Sequence, residues 1–246
     1  MKTGFTLVEL SIVLVIIGLL IGGILVGQSM IDNAKLKRAM SELIQYQIMI
    51  KQFSEKFKGL PGDMNGYKYF GDACGGNHVT VSTGNSACNG NQNGVIEPAQ
   101  SESLLLWRHM YFGGYLDTAY AQNWNLSDPA FVAGQNMLGA DVFNKGALYY
   151  PIGGGLNDFV IRIAMNNAGN IDHPNGAAIS GEDIVALEAK YDDGVANAGF
   201  ISGGNASPTI FSQPDCLQSA SVYAFAANPE YYHDTGCFMH VGFIAY

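Results

Sequence analysis

The apolar positions of this chain form an almost unbroken run near its beginning. Residues 5–26 read FTLVELSIVLVIIGLLIGGILV, which as a helix rising ~1.5 Å per residue is long enough to cross a hydrocarbon core ~30 Å thick. One carboxylate, Glu9, interrupts the run. Because a charged group inside a membrane helix costs roughly 2.5–3.5 kcal/mol, we expect Glu9 to be functional and to have its partner in another molecule.

Beyond this run the pattern changes to a single apolar face. Between residues 31 and 57, apolar residues recur at spacings of three and four, which predicts an amphipathic helix with one face on a globular domain. This stripe consists of Leu36, Met40, Leu43, Tyr46, Ile50, Phe53 and Phe57. No proline precedes Pro61, and Gly59 followed by Pro61 is a typical helix end. The sequence therefore predicts one helix of about 53 residues, roughly 80 Å long, over residues 5–57.

Shorter patterns predict the elements of the remaining chain. Apolar positions at helical spacing predict helices at residues 97–110 and, after Ser180, at residues 181–191. Alternating or apolar runs predict strands at residues 159–165, 222–227 and 237–245. This combination indicates an α+β fold in which an antiparallel β-sheet packs against the long helix.

Composition limits the number of domains and the kind of partner. A chain of 246 residues with 48% hydrophobic and 13% charged residues can form one sizeable globular domain beyond the membrane helix. The net charge is −9, and basic tracts are absent from the sequence. Since nucleic-acid binding requires clustered lysine and arginine, we expect no nucleic-acid partner.

The residues just before the apolar run resemble a known processing signal. A secretory signal has its small-residue cleavage site after the apolar region, whereas Gly4 precedes it here. The string GFTLVEL, which follows Lys2 and Thr3, resembles the prepilin signal of the type IV pilin superfamily. That family includes type IV pilins and the pseudopilins of type II secretion systems. The resemblance implies that a prepilin peptidase cuts between Gly4 and Phe5 and methylates the new N-terminus.

The same resemblance gives Glu9 a role in assembly. After the cut, Glu9 is the fifth residue of the mature chain, where the family has its glutamate. The α-amino group of Phe5 is cationic near neutral pH, and opposite charges attract far more strongly in a low-dielectric medium than in water. We therefore expect Glu9 to pair with the Phe5 amine of a neighbouring subunit. The alternative is a plain signal anchor with Glu9 near the headgroups.

The resemblance also implies a domain organisation. It comprises a prepilin leader (1–4), a transmembrane and polymerisation helix (5–30), the amphipathic half of that helix (31–60) and a globular periplasmic head (61–246). Many family members have a proline in the membrane half, where this chain has Gly22, Gly23 and Gly27. These glycines either loosen the helix or allow close packing between helices.

The basic residues conflict with this topology. Lys35, Lys37 and Arg38 follow the apolar segment, and the positive-inside rule would keep them in the cytoplasm. The short N-terminal tail, the cytoplasm-facing peptidase site of the family and four cysteines favour the opposite orientation. We expect a single-pass protein of the bacterial inner membrane with its head in the periplasm, or in an extracellular pilus after assembly.

The four cysteines are candidates for disulfide bonds. Cys74 and Cys88 lie in a segment of low apolar content, which a disulfide would stabilise. Cys216 and Cys237 lie near the C-terminus and resemble the disulfide-bounded loop of many type IV pilins. Three pairings are open, of which Cys74–Cys88 with Cys216–Cys237 is the most local.

An asparagine-rich loop is a candidate calcium site. Asn89, Asn91 and Asn93 place side-chain oxygens at the first, third and fifth positions of an EF-hand-type loop, with Glu97 nearby. The twelfth position is Gln100 and not a glutamate, although Glu102 also lies nearby, and neutral amides bind calcium more weakly than carboxylates do. The alternative is an asparagine-glycine turn that tolerates positive φ. Asp192 and Asp193 form a second candidate oxygen site.

Catalytic motifs are absent from the sequence. The five histidines lack H-E-x-x-H or similar spacing, and neither G-x-S-x-G nor a phosphate-binding glycine loop occurs. We therefore expect a non-enzymatic structural subunit of a type II secretion pseudopilus or a type IV pilus. The implied partners are other pilin or pseudopilin subunits, the prepilin peptidase, an inner-membrane assembly platform and membrane lipid. The alternatives are a tip or adhesive minor pilin that binds a ligand, and a membrane-anchored periplasmic enzyme.

Overall fold

The computed structural model of the chain contains a long helix and a head of helices and antiparallel strands. It describes residues 7–74, 88–97, 102–117, 133, 137–140, 142–143, 146–153, 155, 160–165, 178–195, 199–205, 217–219, 222–223 and 235–242. The helices are α1 (Leu7–Phe57), α2 (Tyr67–Phe70), a 3₁₀ helix (Gly71–Cys74), α3 (Glu102–Phe112) and α4 (Gly181–Tyr191). The strands are β1 (Ala147–Ile152), β2 (Val160–Met165), β3 (Ile179–Ser180), β4 (Ile201–Asn205), β5 (Leu217–Ser219), β6 (Val222–Tyr223) and β7 (Thr235–Gly242).

Helix α1 is continuous over 51 residues and has two different halves. Its residues 7–26 are exposed, and α1 is the one helix in the described ranges that is long and apolar enough to cross a membrane. The second half packs on the head, as the stripe predicts. Its buried residues are Ala39, Met40, Leu43, Gln47, Ile50 and Phe53. Leu36, Tyr46 and Phe57 of the predicted stripe are partly buried against the same core.

Helix α1 ends before Gly59 and Pro61, as the sequence predicts, but Gly59 is not the residue that adopts the left-handed conformation. The residue in the left-handed region is Lys58, with φ of 55°, and not Gly59. Gly59 is required for a different reason: a Cβ atom at that position would lie 2.9 Å from Cβ of Met64. The chain then turns back on itself, and the Met64 amide donates to the Leu60 carbonyl.

Strand β7 is the centre of a five-stranded antiparallel sheet. It pairs with β2 on one side and β4 on the other, and β1 extends the sheet beyond β2. Cys237 pairs with both Ile179 and Asn205, so β3 and β4 lie on opposite sides of β7. Strand β3 therefore continues the side of the sheet that β2 begins. Strands β5 and β6 form a separate two-stranded sheet.

One face of the sheet packs on α1. The rings of Tyr149 in β1 and Tyr46 in α1 are 5.3 Å apart, and the Gln47 amide donates to the Gly242 carbonyl at 2.7 Å. The register places Ile163 on the same face as Tyr149, and both are fully buried. The α+β fold with a long N-terminal helix on an antiparallel sheet is confirmed.

The shorter predicted elements have mixed outcomes. Helix α4 has the predicted bounds, and its N-cap Ser180 accepts a hydrogen bond from the Asp183 amide. Strand β2 is confirmed from Val160, and β7 begins two residues earlier than predicted, at Thr235. Of the strand predicted at 222–227, Val222–Tyr223 are described, and residues 224–227 and 243–245 lie outside the described residues.

The predicted start of the 97–110 helix is wrong. Helix α3 begins at Glu102, because Glu97 belongs to a loop that closes on it: the Glu97 amide donates to Oε2 of Glu102 at 2.8 Å. The helix then continues to Phe112, and the Gly113 and Gly114 amides bond back to carbonyls of its last turn. Helix α3 therefore ends immediately before these two glycines.

Candidate functional site

The first half of α1 is an exposed apolar surface with a carboxylate near its beginning. Its large apolar side chains are exposed by between 46% at Ile17 and 85% at Leu7. Glu9 lies in the first turn of α1 and is exposed. Negative charge is favourable there, because the amide groups at a helix N-terminus carry partial positive charge. The predicted processing residues, Gly4 and Phe5, lie outside the described residues.

The glycines of this half keep its backbone accessible. A Cβ atom added at Gly18, Gly22, Gly23 or Gly27 would meet no atom within 4 Å. Their lack of side chains is therefore not required by packing within the described residues. A helix with such positions can approach another helix closely or contact lipid.

The head contains a junction built around His109 in α3. The Gly62 amide donates to His109 Nδ1 at 2.9 Å, so this nitrogen is the acceptor and Nε2 donates to the Cys88 carbonyl at 2.7 Å. Burial lowers the pKa of the imidazole from 6.5 to about 4. The hydrogen bond to the Cys88 carbonyl raises this pKa by a smaller amount, and the charge of the Arg108 guanidinium lowers it. The neutral ring thus joins three segments of the chain.

The predicted Cys74–Cys88 disulfide is confirmed and belongs to this junction. The two Cα atoms are 5.3 Å apart, and both residues are buried. Cys237 is also disulfide-bonded. Cys216 lies outside the described residues, so the Cys216–Cys237 pairing stays a prediction.

Asp63 organises the asparagine loop from outside it. Its Oδ1 accepts from the Asn93 amide and its Oδ2 from the Gly94 amide, both at 2.9 Å. The loop runs against the backbone of Asp63: a Cβ atom at Gly90 would lie 2.3 Å from it. Gly94 has φ of 88°, a conformation that glycine adopts without steric cost.

Glu102 closes the loop from the other side. Its Oε1 accepts from the Asn91 amide at 3.0 Å and its Oε2 from the Glu97 amide at 2.8 Å, and the residue has no exposed surface. Burial raises the pKa of this carboxyl to about 7. The two amides lower it, and the charges of Asp63 and Glu97 raise it further. Three carboxylates therefore lie around one loop.

The structure brings most of the predicted calcium-site residues together with Glu102 and with Asp63, which the sequence analysis did not include. Asn91 Oδ1 accepts from the Asn93 amide, and Asn91 Nδ2 donates to Glu97 Oε2 at 2.6 Å. Asn89 is engaged elsewhere, since its Oδ1 accepts from the Tyr67 amide. The sequence shows Glu102 near the loop but gives it no ligand position when the loop is counted from Asn89. Counting the loop from Asn91 instead of Asn89 puts Glu102 at the twelfth position, which is the signal that identifies it.

The second candidate oxygen site is also assembled. Ligand oxygens of Asp192, Asp193 and Glu188 lie within 4.8 Å of one another. Asp192 Oδ2 accepts from the Ile201 amide at 2.6 Å, and Asp193 Oδ1 accepts from the Val195 amide. These two aspartates therefore shape the turn between α4 and β4.

Similarity to known proteins is confined to the beginning of the chain. A family model, the prokaryotic N-terminal methylation motif, matches residues 1–25 and so covers Gly4, Phe5 and Glu9. No curated protein and no solved structure matches the chain.

Proposed function

We propose that this chain, which carries the N-terminal signature of type IV pilins and pseudopilins, is a structural subunit of a type II secretion pseudopilus or a type IV pilus. The observation that carries the proposal is the methylation motif over residues 1–25, continued by an apolar helix half that the head leaves exposed. The signature implies processing by prepilin peptidase and association with other pilin subunits.

The exposed apolar half of α1 needs apolar contacts both before and after filament assembly. Apolar surface in water is unfavourable by roughly 25 cal/mol per Å², so residues 7–26 are stable only in lipid or against other apolar helices. We infer that lipid covers this surface before assembly and that the same helices of neighbouring subunits cover it in the filament. The inner-membrane assembly platform would act on the anchored subunit.

Glu9 would set the register between subunits. The leader is removed in the proposed processing, and the amine of Phe5 is then four residues before Glu9 in the sequence. Within one apolar medium, a carboxylate and an ammonium group of adjacent helices attract strongly, whereas a displaced neighbour would leave both charges without compensation. This pairing would favour one axial position of each new subunit.

A periplasmic head would agree with the disulfide. The buried Cys74–Cys88 bond is typical of proteins that fold in an oxidising compartment. The orientation that we propose would put residues 61–246 in that compartment. We propose no enzymatic activity, since the signature is that of a structural subunit.

The test of the assembly role is substitution of Glu9. Glu9→Ala and Glu9→Gln should leave membrane insertion intact or improve it, because each removes a charge from the apolar segment. Both should reduce incorporation into filaments. The measurement is the amount of each variant that co-isolates with sheared filaments relative to the amount in the membrane.

Leu14→Ile is the matched control, since Leu14 lies on the same exposed helix half and its replacement keeps the apolar volume. This variant should assemble like the wild type. Wild-type incorporation of Glu9→Ala would contradict the role of the carboxylate and would favour the membrane-anchored enzyme.

A second candidate function, favoured by the position of Glu102, is calcium binding by the head. We propose that Ca²⁺ binds at Asn91, Asn93 and Glu97 together with Asp63 and Glu102. Carboxylate and amide oxygens are the ligands that calcium prefers, and each carboxylate oxygen that accepts one amide keeps a further lone pair. A divalent cation would also compensate the charges that crowd the buried Glu102 carboxyl.

Calcium binding predicts a calcium-dependent stability. The melting temperature of the purified full-length protein in detergent should be higher with CaCl₂ than with EGTA. At a calcium concentration a hundred times the dissociation constant, binding should add about 2.7 kcal/mol to the free energy of unfolding. Glu102→Gln and Asp63→Asn should abolish the difference, and the exposed Glu55→Gln should keep it. Equal melting temperatures in CaCl₂ and EGTA would exclude the site.

A further inference from the structure

A cavity lies at the end of α1 that is farther from the apolar half. Its volume is about 370 Å³, which is within the usual range of small-molecule sites. The walls come from the end of α1, the turn after it, α2 and the asparagine loop. Lining residues that matter below are Lys58, Leu60, Asn65, Lys68, Tyr69 and Gln92.

The cavity is positively charged in an otherwise acidic chain. Lys58 and Lys68 both line it, although the sequence contains 12 basic against 21 acidic residues. Neither lysine forms an ion pair with any residue that the structure describes. The carboxylate in the lining is that of Asp63, and both of its oxygens accept amides of the asparagine loop. The Lys68 ammonium lies 5.4 Å from the centre of the Tyr69 ring, and within the described residues neither ammonium group is neutralised by a carboxylate.

Neutral donors and apolar surface complete the lining. Asn65 uses its side-chain oxygen to accept from the Lys68 amide at 3.1 Å, which leaves its NH₂ group as a donor. Leu60 is exposed by 7%, and Tyr69 is exposed by 43%. A ligand in the cavity would meet cationic and donor groups together with aliphatic and aromatic surface.

Backbone strain is concentrated at the same cavity. In the described part of the chain, the non-glycine residues with positive φ are Lys58 at 55° and Gln92 at 64°, and both line the cavity. Lys58 occupies the position after α1 at which glycine is the usual residue, because glycine has no Cβ atom to clash there. A lysine at this position is less favourable for folding than a glycine. Residues held in such conformations cluster at ligand sites.

We propose that this cavity binds a small organic anion, namely a carboxylate attached to an apolar or aromatic body. Lys58 and Lys68 contact the carboxylate, and Leu60 and Tyr69 contact the body. The proposal is independent of filament assembly, since none of these residues lies in the exposed half of α1.

The first test compares two probes of the same shape on the wild-type protein. The full-length chain in lipid nanodiscs is titrated with 4-ethylbenzoate and with the uncharged 4-ethylbenzamide by saturation-transfer NMR, with empty nanodiscs subtracted. The benzoate should bind saturably, more tightly than the benzamide, and more weakly as NaCl is increased. Equal affinities of the two probes, or no saturable binding of the benzoate at millimolar concentration, would overturn the proposal.

The second test separates binding from stability. Lys58→Gly should raise the melting temperature, because it removes the left-handed lysine, and should weaken 4-ethylbenzoate binding about two- to fivefold, the range typical of one exposed charge pair. Lys68→Gln should weaken it by a similar factor. Lys37→Gln removes an exposed lysine of α1 outside the cavity and should leave binding unchanged. Unchanged binding in the Lys58 and Lys68 variants, or equal weakening in the Lys37 control, would overturn the proposal.

Discussion

Single residues of the head hold together segments that are distant in the chain. His109 is the main example, because its neutral ring accepts from the Gly62 amide and donates to the Cys88 carbonyl. A proton on Nδ1 would face the Gly62 N–H and break one of these bonds. The imidazole therefore stabilises the head only in its neutral form.

His109 predicts a loss of stability in acid. Its pKa is about 4 in the folded state against 6.5 ordinarily, so the unfolded chain binds more protons between these values. The stabilisation is complete above pH 6.5 and is lost as the pH falls towards 4, by on the order of 3 kcal/mol. NMR titration of the imidazole in the folded protein measures this directly.

The NMR measurement isolates His109 from groups that titrate in the same range. Glu102, with its pKa raised from 4.5 to about 7, makes the folded state bind more protons than the unfolded chain in that range. It therefore contributes stability that is present below pH 4.5 and lost as the pH rises through 7. A His109 imidazole that titrates near 6.5 would contradict the buried, neutral assignment.

At the scale of elements, the helix end, α2 and the asparagine loop depend on one another through the Cys74–Cys88 disulfide. Cys88 is the first described residue of the asparagine loop, and its carbonyl accepts the hydrogen bond from His109 Nε2. Cys74 is the last residue of the 3₁₀ helix that follows α2. The bond therefore fixes the loop to the region that also forms the cavity and the proposed calcium site.

Removal of this disulfide should destabilise the head. Cys74→Ala with Cys88→Ala should lower the free energy of unfolding by roughly 3 kcal/mol, because the unfolded chain is no longer restricted by a closed loop of this size. Urea denaturation of the double variant and the wild type measures the difference. Equal midpoints would mean that the bond does not constrain the unfolded state.

Local signals predicted the helices better than the strands. The stripe of α1 and the Ser180 cap of α4 depend on neighbouring residues and are readable from the sequence. Strand β1 was missed because ALYYPI is buried on both faces and does not alternate. Strand β4 contains Gly203 and Gly204, which are unfavourable in strands.

The candidate sites also differ in whether their residues are neighbours in the sequence. Glu9 was identified because its motif is contiguous in the sequence. The contribution of Asp63 to the asparagine loop could not be predicted, since its partners Asn93 and Gly94 lie some thirty residues later and meet it only in the folded chain. The cavity is formed by the same long-range contact, so no local pattern indicates it.

At the scale of the whole molecule, the proposed removal of residues 1–4 would decide whether the chain can become a filament subunit. Mass spectrometry of protein from cells with an active prepilin peptidase should find N-methylated Phe5 as the first residue. Gly4→Leu should leave the precursor uncut in the membrane and absent from filaments, because the bulkier side chain occupies the position of the cut. A wild-type chain that keeps Met1 in such cells would contradict the proposed processing.

Because α1 is continuous, a change in its orientation at one end moves the other end. A helix of 51 residues spans roughly 75 Å, and no break separates its exposed half from the half that carries the sheet. A tilt of about 10° about the exposed apolar end therefore displaces the far end sideways by roughly 13 Å, because the helix is a rod of this length. The cavity after Phe57 lies at that far end. In the proposed membrane-anchored state, a small reorientation of the helix in the bilayer would therefore shift the cavity sideways by this distance.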